Sequence, residues 1–366
     1  MIEKFIVSRD DRIYQAFPDV ALAPSGKLVC VFSECTHHAN RTYTRIALCT
    51  SEDRGRTWSP RRPLCEPLHR VDPEKDPWWN CPRISTLSDG RLVAVVDQVR
   101  AHGRIREEGI VLLWFSTDEG DTWDGPHETP ITGIVPDRLI ELKHGPHAGR
   151  WIINAHHTTP QPEQHVQRFH VWAWFSDDQG GSWSGPHVIS DAPDLMLCEG
   201  SIVELPGGEL VCFMRENSQR GLDAFKCISR DGGARWAGPY AMPIPACHRP
   251  VAGMLLDGAV LITHRYMQSG DRWLGWGTQN FFGALTDVES CLATERNGAH
   301  TRIFPIDYDR SSRSDTGYSG WVQFPDGEIY VVNYIVDDAP RAHIRGYAFR
   351  ESDVVLPELL SPGMQP

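Results

Sequence analysis

A glutamate, a tyrosine and a set of arginines stand at spacings that could do chemistry. Glu199 lies in Cys198-Glu-Gly-Ser-Ile-Val-Glu-Leu, Arg215 follows sixteen residues later, and Tyr318 sits in Gly317-Tyr-Ser ahead of a Pro-Asp-Gly turn. Arg249 and Arg265 flank the turn of another hairpin between them. A carboxylate beside a phenol can polarise it into a nucleophile, which avoids the like-charge repulsion that a carboxylate nucleophile meets at an anionic substrate. Arginine forks bind a carboxylate bidentately. Asp97 and the adjacent pairs His37/His38 and His156/His157 are further candidates, the imidazoles because they exchange protons near neutral pH. Neither HExxH nor a Cys/His finger spacing occurs, and His144-Gly-Pro-His147 falls on a turn, so no metal and no other cofactor is expected.

These residues must be positioned by a chain that repeats itself. Ser-x-Asp-x-Gly-x-x-Trp recurs at Ser51/Asp53/Gly55/Trp58, Ser116/Asp118/Gly120/Trp123, Ser176/Asp178/Gly180/Trp183 and Ser229/Asp231/Gly233/Trp236, each time after an apolar alternating run. The Asp side chain can bond the turn's N–H groups, the Gly supplies a positive φ and the Trp packs back on the sheet, so these residues read as structural. A second pattern, an apolar run, a Gly-bearing turn and another apolar run, occurs six times, with turn glycines at 26, 90, 149, 208, 258 and 327. Six units of about 60 residues each suit four-stranded blades, and radial repetition protects sheet edges. The expectation is an all-β, six-bladed β-propeller filling residues 1–366 as one domain, with a frayed tail over 355–366.

If the blades are equivalent, six positions before the end of each first strand share one level at the axis: Ala16, Cys81, Pro136, Glu199, Arg249 and Tyr318. The returning strands bring Ser33, Asp97, His156, Arg215, Arg265 and Tyr334 to the same end. So much charge in a propeller core would carry a heavy desolvation cost unless it lined a polar funnel.

Composition narrows the function classes. The chain is 40% hydrophobic and 23% charged, which excludes disorder as its main state. Its net charge of −12, with no Lys/Arg run, lacks the footprint of a nucleic-acid or membrane-surface binder. No apolar stretch of 18 residues occurs, and Met1 to Asp19 has no leader-like run, so a cytoplasmic protein is expected. The ten cysteines include no CxxC and read as buried free thiols. Trp78, Trp79, Trp273 and Trp276 fall in loop-like segments and could stack on sugar faces.

Four such Asp-box turns on a six-bladed plan, Glu199 with Arg215 sixteen residues on, and Tyr318 before its hairpin resemble the sialidase (neuraminidase) superfamily over essentially the whole chain. The resemblance implies a glycoside hydrolase with a Tyr nucleophile, for which Tyr318 matches, a Glu that polarises it, matching Glu199, and an arginine triad on the sugar carboxylate, to which Arg215 belongs; sialidases are the Tyr-nucleophile exception among glycosidases. Arg265 or Arg249 would complete the clamp, and the substrate implied is a terminal acidic sugar, sialic acid or a relative.

The chain departs from that pattern twice. Where the family has Arg-Ile-Pro opening blade one, Ala16-Phe17-Pro18 stands; Arg12, or Arg83 in Cys81-Pro-Arg-Ile, could compensate. The loop after Ser33 holds no aspartate for the acid/base but reads Glu34-Cys-Thr-His37-His38-Ala-Asn40, leaving His38 or His37, or Asp97 from blade two, to replace it. Two rival readings stay open: a polysaccharide lyase or uronate-linked glycosidase in which His38 or His156 works with Tyr318, and a carbohydrate-binding propeller without catalysis. The structural alternatives are a core aromatic for Tyr318, an ion pair within blade four for Glu199 and Arg215, and a turn cap for Asp97.

Overall fold

A computed structural model of the chain describes residues 1–38, 40–72, 75–102, 105–161, 166–268 and 277–355. Trp273, Trp276 and the expected tail from 356 onward lie outside the described residues. The chain forms a six-bladed β-propeller of antiparallel sheets, five of four strands and one of five.

Blade one runs Tyr14–Leu22, Leu28–Cys35, Tyr43–Ser51 and Arg62–Pro63, with the short strand Leu68–His69 also on its third strand. Blade two runs Trp78–Thr86, Leu92–His102, Ile105–Ser116 and Asp124–Thr132. Blade three runs Ile140–Glu141, Trp151–Gln161, Val166–Ser176 and Ser184–Ser190, and blade four Leu197–Glu204, Leu210–Glu216, Asp223–Ser229 and Ala237–Pro245. Blade five runs Cys247–Met254, Val260–Gln268, Thr278–Thr286 and Arg302–Tyr308. Blade six takes Ser319–Gln323, Ile329–Ile335 and His343–Phe349 from the C-terminal side and closes with Glu3–Ser8 from the N-terminal side, pairing Glu3 with Ala348. The short apolar patch at Phe5 and Ile6 is therefore the strand that closes the ring.

Burial explains the sequence pattern of the blades. Strands packed between neighbouring blades are covered on both faces, so Leu28–Cys35, Ile329–Ile335 and His343–Phe349 are buried at every position, and the polar residues among them, Glu34, Asn333 and Arg345, hold hydrogen-bond partners. Outer strands such as Asp124–Thr132 and Ser184–Ser190 are mostly exposed and polar. Each fully buried Val, Leu or Phe contributes about 1.5–3 kcal/mol relative to exposure, so the inner strands supply most of the driving force. Nine of the ten cysteines are buried and no disulfide joins them; burial pushes the Cys81 thiol up to about 12.

The Ser-x-Asp-x-Gly-x-x-Trp repeats close four copies of one turn. In blade one, Asp53 accepts from the Thr57 N–H at 2.8 Å, and the Trp58 indole donates to the Gly55 carbonyl at 3.1 Å. The serine, whose role the sequence did not disclose, accepts the glycine N–H at 2.8 Å in blades one, two and three and at 3.0 Å in blade four. These turns and the six hairpin turns lie at one end of the propeller, where Lys27 of the first hairpin meets Asp121 of the second repeat at 2.7 Å. The opposite end is thereby left for chemistry. Among the described residues no helix is long and apolar enough to cross a membrane.

Candidate functional site

Inner strands bend where they reach the opposite end. Register shifts fall between Ala16 and Asp19, Trp79 and Pro82, Cys198 and Ser201, and His248 and Val251. Three of these bulges hold a non-glycine residue at positive φ: Phe17 at 57°, Glu199 at 50° and Arg249 at 51°. Such conformations cost of order 1–3 kcal/mol each, and bulges re-aim side chains beside functional sites. The blade-one member of the ring is therefore Phe17 and not the expected Ala16. The reason is a count from the turn: Ala23, not Leu22, makes the closing bond to Lys27, as Leu205 does to Glu209, each at 2.8 Å.

Glu199, Arg215 and Tyr318 meet. The Tyr318 hydroxyl donates to Glu199, and one Arg215 nitrogen donates to both Glu199 oxygens at 2.9 Å and lies 3.4 Å from the Tyr318 hydroxyl. Tyr318 is delivered from blade six by Gly317, whose φ of 98° and lack of a Cβ let it pass Arg265; a Cβ there would sit 2.4 Å from the Arg265 Cβ. Arg265 lies with its guanidinium 4.7 Å from the Tyr318 ring centroid, bonded to the Thr316 carbonyl at 2.6 Å and the Tyr334 hydroxyl at 2.7 Å. Phe17 packs on Tyr318 at 5.1 Å between ring centroids.

The electrostatics at rest keep the phenol protonated. Burial would raise the Glu199 carboxyl, but Arg215, His156 and the Tyr318 hydrogen bond outweigh it and hold the group well below the usual carboxylate range. Burial and the Glu199 charge push the Tyr318 phenol far above its ordinary value. Burial also pulls His156 down to about 4, so its ring is neutral and its Nδ1 accepts from the Glu199 N–H at 3.4 Å.

A second constellation borders the first. His38 Nδ1 lies 2.5 Å from an Asp315 oxygen, to which Tyr14 also donates, while Tyr334 donates to the other oxygen at 2.6 Å. His38 is one-third exposed, and its ring stands edge-on to Phe17 at 5.3 Å. Arg41 stacks on Phe17 at 5.1 Å and donates to the His38 carbonyl at 3.3 Å. Sequence reasoning missed Asp315, Tyr14 and Arg41. The available signals were the position of Asp315 three residues before Tyr318 and of Arg41 three after His38.

Other candidates sit elsewhere or are committed. Asp97 is fully buried, its oxygens taken by the Asn80 amide at 2.7 Å and the N–H groups of Cys81 and Val135 at 2.8 and 2.9 Å. It ties blade two to the entry of blade three, and burial raises its carboxyl. Arg83, a candidate to stand in for the absent arginine, and Arg249, a candidate for the clamp, are both buried on the axis and donate to the Ser319 carbonyl at 2.7 Å and the Pro136 carbonyl at 2.9 Å. Arg12 pairs with Asp10 in an exposed turn. His157 stacks on Trp172 at 4.4 Å. Trp79 is buried edge-on against Trp114 at 5.7 Å, and Trp78 lies under Arg70 at 4.1 Å; both belong to a strand, not a loop.

Comparison with known proteins bears on the lineage of this arrangement. A family model described as a BNR repeat-like domain matches residues 66–331. The chain belongs to the BNR repeat-like family. A sialidase from Micromonospora viridifaciens is 31% identical over 134 residues, 32% of this chain and 18% of that protein's length. Among solved structures, a protein of unknown function from Dyadobacter fermentans superposes with a TM-score of 0.73 at 21% identity, covering 95% of this chain and 98% of the other. The intramolecular trans-sialidase of Ruminococcus gnavus gives 0.64 at 14% identity, over 94% and 96%. An α-L-arabinanase from Penicillium chrysogenum gives 0.60 at 13% identity, over 96% and 99%. At these identities the superpositions speak for the fold of this BNR repeat-like chain, and its sugar must be argued from the site.

Proposed function

We propose that this BNR repeat-like propeller is a sialidase-type exo-glycoside hydrolase that removes a terminal acidic sugar, with Tyr318 as nucleophile and Glu199 as the group that takes its proton. The observation that carries the reading is the shared contact of Tyr318, Glu199 and Arg215 at one end of the axis. A structural ion pair would have no use for a phenol held against both of its charges.

Arg215 links substrate binding to activation. At rest its guanidinium stabilises ionised Glu199, which leaves that carboxylate a weak base. A sugar carboxylate that takes hydrogen bonds from Arg215 competes with Glu199, raises its proton affinity and so favours transfer of the phenol proton. Arg265, over the phenol ring, stabilises negative charge as it develops on the oxygen. A neutral sugar offers no such exchange. This is why an acidic substrate is favoured although the whole chain carries −12.

The test is release of the aglycone from a panel of acidic aryl glycosides, α-sialosides and uronides, with near-ultraviolet absorbance followed for an unsaturated product. Tyr318→Phe is expected to lose turnover by at least about a thousandfold while retaining substrate binding. Retained turnover in Tyr318→Phe overturns the nucleophile, an unsaturated product replaces hydrolysis by elimination, and binding without turnover by the wild type replaces catalysis by recognition.

A further inference from the structure

We infer that His38, held by Asp315, is the acid/base of this site, and that Asp315 with Tyr14 is its positioning device. The inference rests on the glycosidase reading above. A Tyr–Glu pair makes a nucleophile but protonates nothing on the leaving group, so a second proton-transfer residue is required. Asp97 has both oxygens committed, to Asn80 and Cys81 within blade two and to Val135 at the entry of blade three, and His156 lies buried against the Glu199 backbone. His38 is one-third exposed, and Phe17 packs against both its ring and Tyr318, at 5.3 and 5.1 Å between centroids.

Asp315 gives the ring a direction. An imidazole whose Nδ1 faces a carboxylate at 2.5 Å carries its neutral-state proton on Nδ1, which leaves Nε2 to gain and lose the catalytic proton. Tyr14 and Tyr334 donate to the same carboxylate and Arg265 lies 3.7 Å from it, so Asp315 is anchored from blades one, five and six at once. The charged and titratable groups around the His38 ring are thus Asp315, Tyr14, His37 and Arg41. Tyr14 contacts both His37 and His38, and Arg41 caps the His38 carbonyl.

The steps balance. In the first, the Tyr318 oxygen bonds to the anomeric carbon and its proton passes to Glu199; the bond from that carbon to the aglycone oxygen breaks, and the oxygen takes the proton from His38 Nε2. In the second, water gives a proton to His38 Nε2 and bonds to the anomeric carbon; the bond to Tyr318 breaks, and the phenol recovers its proton from Glu199.

His38→Ala, His38→Gln and Asp315→Asn should be assayed beside the wild type on two glycosides of one acidic sugar, one with an alkyl and one with a dinitrophenyl leaving group, across pH. Thermal unfolding checks that each variant folds. Both His38 variants are expected to lose about 10²- to 10⁴-fold in kcat/KM on the alkyl glycoside, which needs protonation, and less than about tenfold on the dinitrophenyl glycoside, which does not. The limb of the pH–rate profile set by the acid should vanish with them, and added azide should restore turnover of the covalent intermediate. Asp315→Asn should lose roughly a hundredfold on the alkyl glycoside through misorientation. Nitrogen-15 spectra of the wild-type imidazole, recorded without substrate, should show the Nδ1–H tautomer. Equal losses on both glycosides, unchanged activity in the His38 variants, or an Nε2–H tautomer in the wild type would overturn the dyad alone. A wild type inert toward every acidic glycoside while keeping the Nδ1–H tautomer would overturn the glycosidase reading, and the catalytic role of the dyad with it.

Discussion

Two charge clusters share the propeller axis and differ in what their charges hold. The deep one is built on Asp19, which is fully buried, paired with Arg138 at 2.8 Å and bonded to the N–H groups of Val20 and Ile84 at 2.9 and 3.1 Å. Arg83, Arg138 and Arg249 spend donors on the carbonyls of Ser319, Trp321 and Pro136, each in another blade or in the entry to one. The open one sets Tyr318, Glu199, Arg215, Asp315 and His38 against one another, side chain to side chain, with Arg215 and His38 partly exposed. Charge at the axis is therefore no mark of function. Arg83 and Arg249 staple backbone carbonyls from fully buried positions, whereas a partly exposed arginine bonded to a carboxylate and a phenol can trade that partner for a ligand.

Substitutions should split the two clusters. Asp19→Asn, which leaves Arg138 without its buried counter-charge, is expected to cost about 3–5 kcal/mol, read as a lower denaturation midpoint. A cost near zero would mean that the deep cluster does not staple the blades. Arg215→Lys keeps the charge and loses the fork, and should lower kcat/KM on an acidic glycoside by roughly 10- to 100-fold, the worth of one charge-assisted hydrogen bond, with little change in the denaturation midpoint. An equal fall on a neutral glycoside would erase the proposed exchange.

The smallest effect concerns acid. Glu199 and Asp315 both titrate below their ordinary values in the folded protein, because their positive and hydroxyl partners outweigh burial. The folded state therefore binds fewer protons than the unfolded chain, so the stability they contribute is complete above the ordinary carboxylate range, about pH 4 to 5, and is lost as pH falls below it. Glu199→Gln should flatten the acid limb of the stability–pH curve, and an unchanged limb would place the open cluster's charges outside folding linkage.

Much of this was legible before the structure. The six Gly turns and four Ser-x-Asp-x-Gly-x-x-Trp repeats carry the blade count because their geometry is local: one Asp, one Gly and one Trp close a turn within eight residues. Glu199, Arg215 and Tyr318 were legible through the same repeats, since equal distance from equivalent turns means equal height on the axis. Phe17 was lost to a one-residue miscount in the first hairpin, and Asp315 and Arg41 because they lie in loops that carry no strand register.

The sequence by itself determined the repeat, the blades and which residues reach one end, because those follow from chain spacing and turn chemistry. The tertiary structure decided which of those charges face each other and which are consumed as staples. Asp97, Arg83 and Arg249 stand at or beside the same level as Glu199 and Arg215, yet each reaches a backbone group outside its own blade, Val135, Ser319 and Pro136 in turn, at distances that only the assembled ring creates. Burial against a backbone carbonyl or beside a phenol is a property of that ring, and it separates a buried staple from a group that can bind or move a proton.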